Sequence, residues 1–193
     1  MKILVLADIH YPKCNIEEIY NIIKYENPEE IILLGDVAEN LEYFYEFIKK
    51  LKKFTNKKII VVCGDNEKKY RIECKNYYIQ NKILFIHGDS SNIINENFTK
   101  LVAKIIKKIS KRLLLESKKL LLKLYFFRFF KYRKLKVNIV LGHSHLIGKS
   151  ILIKAYSAGT LTTKHYFLDR GFIVIDNKKI EIKRLDSSGA AGI

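Results

Sequence analysis

The sequence predicts an α/β fold, and three observations carry that prediction. Short apolar runs alternate with segments of helical spacing through the first 63 residues. Each apolar run stops at a polar turn that carries Gly, Asp or both. The C-terminal third changes to closely spaced short runs, the pattern of strands in antiparallel connection.

Taken in order, Lys2–Ala7 reads as a buried strand that ends at Asp8. Asn15–Glu26 places Ile16, Ile19, Tyr20, Ile22 and Ile23 on one helical face, with Asn15 as the N-cap. Ile31–Leu34 is a second strand, broken by Gly35-Asp36. Leu41–Lys53 is amphipathic again, and Lys57–Cys63 is a third strand ending at Gly64. This alternation implies parallel strands with helical crossovers. In such sheets ligands gather at the carboxyl ends of the strands.

Lys82–Ile86 is another strand, ending at His87-Gly88-Asp89, and Val137–Leu141 leads into Gly142-His143-Ser144-His145. Ile151–Tyr156, Tyr166–Leu168, Gly171–Asp176 and Lys179–Arg184 read as short antiparallel strands, with a hairpin turn at Asp176-Asn177. Residues 1–186 form one expected domain interrupted by an insertion at 97–135, and 187–193 read as a flexible tail.

Composition narrows the function. Hydrophobic residues at 48% and charged residues at 29% exclude a disordered chain. Cys14, Cys63 and Cys74 form neither a disulfide framework nor a cysteine zinc site, and all three read as inert. The apolar start is too short for a signal peptide, and no run suits a membrane span. The expectation is a cytoplasmic protein, with peripheral membrane contact open.

Net charge is +16, and it is concentrated. Lys100–Lys136 holds 14 basic residues and one acid, Glu116, whereas the remainder is nearly neutral. Phe98–Leu115 sets apolar side chains opposite Lys104, Lys108, Lys111 and Arg112, a helix about 27 Å long. Ser117–Arg133 adds Lys119, Lys123, Phe126, Phe127, Arg128 and Phe130, so two helices could cap one rim of the sheet. A basic face opposite leucines and aromatics suits an anionic membrane surface, at about 1 kcal/mol per Lys or Arg. Nucleic acid is the rival partner, and packing on the domain or a second copy in a homo-oligomer is the plain alternative.

Chemistry gathers at the strand ends. Asp8-Ile9-His10, Gly35-Asp36, Gly64-Asp65-Asn66-Glu67, His87-Gly88-Asp89 and Gly142-His143-Ser144-His145 supply carboxylates and imidazoles in excess of one ion's needs. Such mixed ligands suit two divalent ions, Mn²⁺ first, with Fe²⁺, Zn²⁺, Co²⁺ or Mg²⁺ as alternatives. His165 stands outside the set and reads as structural.

The ordered set resembles the calcineurin-like metallophosphoesterase family, whose pattern runs D-x-H, G-D, G-N-H-[DE], H, G-H-x-H. The resemblance spans roughly residues 1–90 and 137–160. It implies a two-sheet β-sandwich flanked by helices, a four-layer αββα architecture, here with a helical cap insertion. It also implies that Asp8, His10, Asp36 and His145 hold one ion. Asp36, Asp65, His87 and His143 would hold the second, with Asp36 bridging and also counted among the catalytic residues. Two such ions would activate a water for in-line attack on a phosphate-containing substrate. Glu67 and Asp89 are the candidates for orienting the imidazoles.

Two positions depart from the family pattern. Asp65 stands where the family has Asn, adding negative charge for the metal. Asn66 stands where the family has the His that protonates the leaving group; it can hydrogen-bond a phosphoryl oxygen but supplies no acid. Phosphoanhydrides and activated diesters, which need little protonation, then fit better than alkyl monoesters. His87-Gly88-Asp89 before a long helical insertion also resembles the UDP-2,3-diacylglucosamine pyrophosphatase branch, which implies a lipid-linked nucleotide at a membrane surface. The alternatives are a nuclease or cyclic-nucleotide phosphodiesterase, or a non-catalytic scaffold on the same fold.

Overall fold

A computed structural model describes residues 1–88, 111–163 and 169–185. In chain order its elements begin β1 (Lys2–Ala7), α1 (Ile16–Glu26), β2 (Glu30–Leu34), α2 (Leu41–Phe54), β3 (Lys58–Val62) and α3 (Asp65–Lys69). They continue with β4 (Tyr78–Gln80), β5 (Ile83–Ile86), α4 (Lys111–Phe127) and a 3₁₀ turn at Phe130–Leu135. β6 (Asn138–Leu141), β7 (Ile147–Ser150), β8 (Ala155–Ala158), β9 (Gly171–Asp176) and β10 (Lys179–Arg184) complete the order.

The strands form two sheets, β10-β9-β1-β2-β3 and β4-β5-β6-β8-β7. β1, β2 and β3 are parallel, joined by α1 and α2, as the alternating pattern requires. Side-chain alternation along β1 assigns the layers. Leu4 and Leu6 pack with Ile19, Ile23, Phe44 and Phe47 of α1 and α2. Ile3, Val5 and Ala7 point the other way, into a core shared with Ile83, Phe85, Val140 and Ala158 of the second sheet. On that sheet's far side Leu84, Ile86, Ile139 and Leu141 bury Tyr125, Phe126 and Phe129 at the end of α4. The result is helix, sheet, sheet, helix. The four-layer expectation holds.

Local signals explain the ends of the elements. Asn15 caps α1 by accepting from the Glu17 and Glu18 amides, and Asn40 caps α2 through the Tyr43 amide at 2.8 Å. Asn177 and Lys178 both take positive φ, so the β9–β10 hairpin turns as its sequence predicts.

Four expectations need correction. Ile151–Tyr156 is not a strand: β7 precedes it, residues 151–154 form a turn, and β8 runs parallel to β6. The apolar run misled because Ile151 and Leu152 project outward while Ile153 alone enters the core. No helix boundary falls at Ser117, which lies inside α4. α3 and β4 are further elements that the apolar pattern does not signal. Cys63 and Cys74 are not isolated thiols but a disulfide, with Cα atoms 5.4 Å apart. It closes the loop that carries Asp65, Asn66 and Glu67. Most of the expected Phe98–Leu115 helix, with Tyr166–Leu168, His165 and the 187–193 tail, lies outside the described residues.

Candidate metal centre

The polar turns after β1, β2, β3, β5 and β6 meet at one rim of the sandwich. The Asp8 amide donates to the Gly35 carbonyl at 3.1 Å, and the His10 amide to the Asp36 carbonyl at 2.9 Å. The Gly142 amide donates to the His87 carbonyl at 3.1 Å, which joins the two turns of the second sheet. Asp8, His10, Asp36, His143 and His145 all adopt left-handed backbone, with φ between 48° and 60°. Each such residue costs of order 1–3 kcal/mol, and clusters of them characterise functional loops. Gly35 is required by contact as well as by φ +74°, because a Cβ there would lie 2.2 Å from the His87 ring.

Three groups of ligand atoms form at this rim, the atoms in each lying within 4.8 Å of one another: Asp8 with His10 and His145, Asp65 with His87 and His143, and Asp8 with Asp36 and His87. The third group joins the first two, so all seven expected ligands share one cluster. Asp8 is as central to it as Asp36.

Hydrogen bonds divide each key group into a held atom and an open one. Asp8 Oδ2 accepts the His143 amide at 2.8 Å, while Oδ1 faces His145 Nε2 at 3.0 Å. Asp36 Oδ1 accepts the Asn66 amide at 2.9 Å, while Oδ2 lies 3.6 Å from His87 Nε2. His87 Nδ1 donates to the Leu34 carbonyl at 3.0 Å. His10 Nδ1 donates to Glu39 Oε1 at 2.9 Å. A carbonyl and a carboxylate only accept, so both rings carry their proton on Nδ1 and present Nε2 to the cluster. His10 Nε2 and His87 Nε2 are buried without a hydrogen bond, an arrangement that costs free energy unless a cation satisfies it.

The electrostatics point the same way. Burial alone would raise Asp8 and Asp36, yet the neighbouring imidazoles outweigh it and hold both carboxyls below the usual range. Burial would lower His87, but Asp8 and Asp36 dominate and push it up to about 10. His145 is raised for the same reason, chiefly by Asp8 against its own burial. The cluster holds protons where divalent cations would bind, and the donor set fits such ions.

The remaining expected residues are placed differently. Glu67 is fully buried and touches no imidazole; it accepts the amides of Asp36, Val37 and Gly64 at 2.8–2.9 Å. It ties the β2 and β3 turns together, and Glu39 takes the orienting role toward His10. Nothing in the sequence marked Glu39, which stands on a loop without periodicity. Asn66 spends a side-chain N–H on the Ala38 carbonyl at 2.9 Å. Asp65 is the exposed member of the cluster, with His143 Nδ1 at 3.4 Å from its carboxylate. Asp89, Lys104 and Lys108 lie outside the described residues, and Lys111 and Arg112 open α4.

Of the expected contact residues, Phe126 and Arg128 are buried and therefore not lipid or nucleic-acid contacts. They turn inward because the end of α4 seals the second sheet. Phe127, 63% exposed, stacks on exposed Phe130 at 6.0 Å, and Lys119 and Lys123 face solvent beside them. No described helix is long and apolar enough to cross a membrane.

Comparison with known proteins agrees with this fold. A family model described as calcineurin-like phosphoesterase matches residues 1–170. Among solved structures, the phosphoesterase Yfce from E. coli is 13% identical, covering 100% of this chain and 97% of its own, with a TM-score of 0.55. An archaeal phosphodiesterase is 14% identical over 96% of this chain and 100% of its own, with a TM-score of 0.55. A predicted phosphoesterase from Streptococcus pneumoniae TIGR4 is 14% identical over 97% and 90%, with a TM-score of 0.53. No curated protein matches the chain.

Proposed function

Because the chain belongs to the calcineurin-like phosphoesterase family, a family of dinuclear metal-dependent phosphoester hydrolases, we propose that it cleaves phosphoanhydride or phosphodiester bonds with two Mn²⁺ ions. The carrying observation is the cluster of Asp8, His10, Asp36, Asp65, His87, His143 and His145, with two buried imidazole Nε2 atoms left without a hydrogen bond. Asp8, His10 and His145 would hold one ion, Asp65, His87 and His143 the other, and Asp36 would lie between. When bound, the ions would supply Lewis-acid charge and an activated water for displacement at phosphorus.

The chain's own residues set the terms of that chemistry. Glu39 and the Leu34 carbonyl hold Nδ1 of His10 and His87, so each ring turns Nε2 to the cluster. Glu67 holds the Asp36 and Gly64 backbones in register, so the Asp36 carboxylate is fixed before substrate binds. Asn66 retains amide hydrogen-bonding capacity toward a phosphoryl oxygen but brings no proton to a leaving group. An anhydride, whose leaving phosphate needs no proton, is the substrate class this supports. The exposed Phe127–Phe130 pair beside Lys119 and Lys123 supports a lipid-linked substrate taken at an anionic membrane surface.

Hydrolysis of nucleotide-lipid anhydrides, cyclic nucleotides and oligonucleotides under Mn²⁺ tests the substrate reading. Preference for the anhydride supports it; preference for either nucleotide class overturns it in favour of a nuclease or cyclic-nucleotide enzyme.

A further inference from the structure

The insertion does more than present a basic surface, because one side chain of α4 reaches the turns that carry two candidate ligands. Tyr125 is buried. Its hydroxyl donates to the Gly142 carbonyl at 2.8 Å, and the same oxygen lies 3.4 Å from the His87 carbonyl. Its ring stacks toward the His143 imidazole, with centroids 6.5 Å apart. The β5 and β6 turns already meet through the Gly142 amide and the His87 carbonyl. The tyrosine therefore closes a three-way contact directly behind His87 and His143.

Gly88 fits this contact and no other residue does. Its φ is +106°, and a Cβ there would stand 2.0 Å from the Tyr125 hydroxyl. Phe129 packs edge-on against Tyr125 at 5.2 Å and is itself buried, which fixes the tyrosine ring. The buried hydroxyl has a single proton to donate and places it on the Gly142 carbonyl, which also accepts the Ser144 amide; leaving that O–H unpaired in a dry site would be costly.

We propose that Tyr125 is a positioning residue: through the backbone of His87 and Gly142 it holds His87 and His143 at the separation the second ion requires. The insertion thereby becomes part of the metal centre. The inference rests on reading Asp65, His87 and His143 as one half of a dinuclear site.

Mn²⁺ titration of wild type and Tyr125→Phe, followed by electron paramagnetic resonance, tests it. Wild type should take two ions and give the signal of an exchange-coupled pair. Tyr125→Phe keeps the ring and loses the hydroxyl. It should bind the first ion normally and the second roughly tenfold or more weakly. At ion concentrations that saturate wild type, its spectrum should then be that of isolated Mn²⁺. Gly88→Ala, which displaces the hydroxyl, should share this asymmetry. Unchanged affinity for both ions, or equal weakening of both with a lowered melting temperature, would overturn the positioning role. A wild type that binds no second ion would instead overturn the dinuclear reading itself.

Discussion

Glu39 is where a single residue carries most of the new information about the site. It accepts from His10 Nδ1 and is itself held by the Lys13 ammonium. Glu39→Ala should weaken Mn²⁺ binding by roughly 10–100-fold, whereas Glu39→Gln, whose amide oxygen still accepts, should stay near wild type. Titration with Mn²⁺ reads both, and an alanine variant of wild-type affinity would remove Glu39 from the site. His87 gives a pH prediction. Its metal-free pKa of about 10 means that an ion taking Nε2 at neutral pH displaces a proton. Affinity should therefore rise from about pH 6 to about pH 9, and pH-independent isotherms would contradict the assignment. In the metal-free protein that proton stabilises the fold below about pH 6.5, and its contribution fades as pH climbs toward 10. The ligands themselves were legible because Asp and His placed just past apolar runs need only a sheet to converge. Glu39, Tyr125 and the Leu34 carbonyl were not, because each acts through a contact between segments far apart in sequence.

At the scale of elements, α4 is where sequence and structure part most usefully. Its aromatic cluster was too apolar for a narrow stripe, and the structure divides it by direction. Phe126 and Phe129 seal the second sheet while Phe127 and Phe130 stay outside. Helical periodicity alone did not distinguish these roles, since which face meets the sheet depends on the docking angle. Phe129→Ala should cost about 3–5 kcal/mol in urea unfolding, the range for a fully buried phenylalanine. Phe127→Ser combined with Phe130→Ser should leave stability within about 0.5 kcal/mol, since both rings are exposed. The same pair should reduce flotation with vesicles of anionic phospholipid; unchanged flotation, or binding to oligonucleotides instead, would end the membrane reading. The β7–β8 turn teaches a related lesson. Three consecutive apolar residues, Ile151–Ile153, read as strand, yet the chain turns there because β8 must start beside β6.

Across the whole molecule, the +16 charge does not name the reaction; it marks one inserted element on a nearly neutral fold. Ion pairs elsewhere serve the frame. Glu26, buried at the end of α1, binds Lys2 at 2.7 Å and Lys183 at 2.6 Å, joining β1 and β10. Burial would raise its carboxyl, but the two lysines outweigh that and lower it. Its contribution is present above the ordinary glutamate range and is lost as pH falls through the lowered value. Glu26→Gln should therefore cost about 1–2 kcal/mol at neutral pH, a gap that closes in urea unfolding as pH falls below the ordinary glutamate range. The parallel half of the fold was legible from its strand–helix alternation, whereas the Cys63–Cys74 disulfide had no framework of spacings to reveal it. The central claim is that the strand-end cluster is a catalytic dinuclear centre. Its most direct test is Mn²⁺-dependent hydrolysis of bis(p-nitrophenyl) phosphate by wild type and Asp36→Asn, with bound metal counted in both. Wild type should bind two ions and turn over, and the variant should lose at least about 100-fold in rate. Equal rates in the two proteins would contradict that claim.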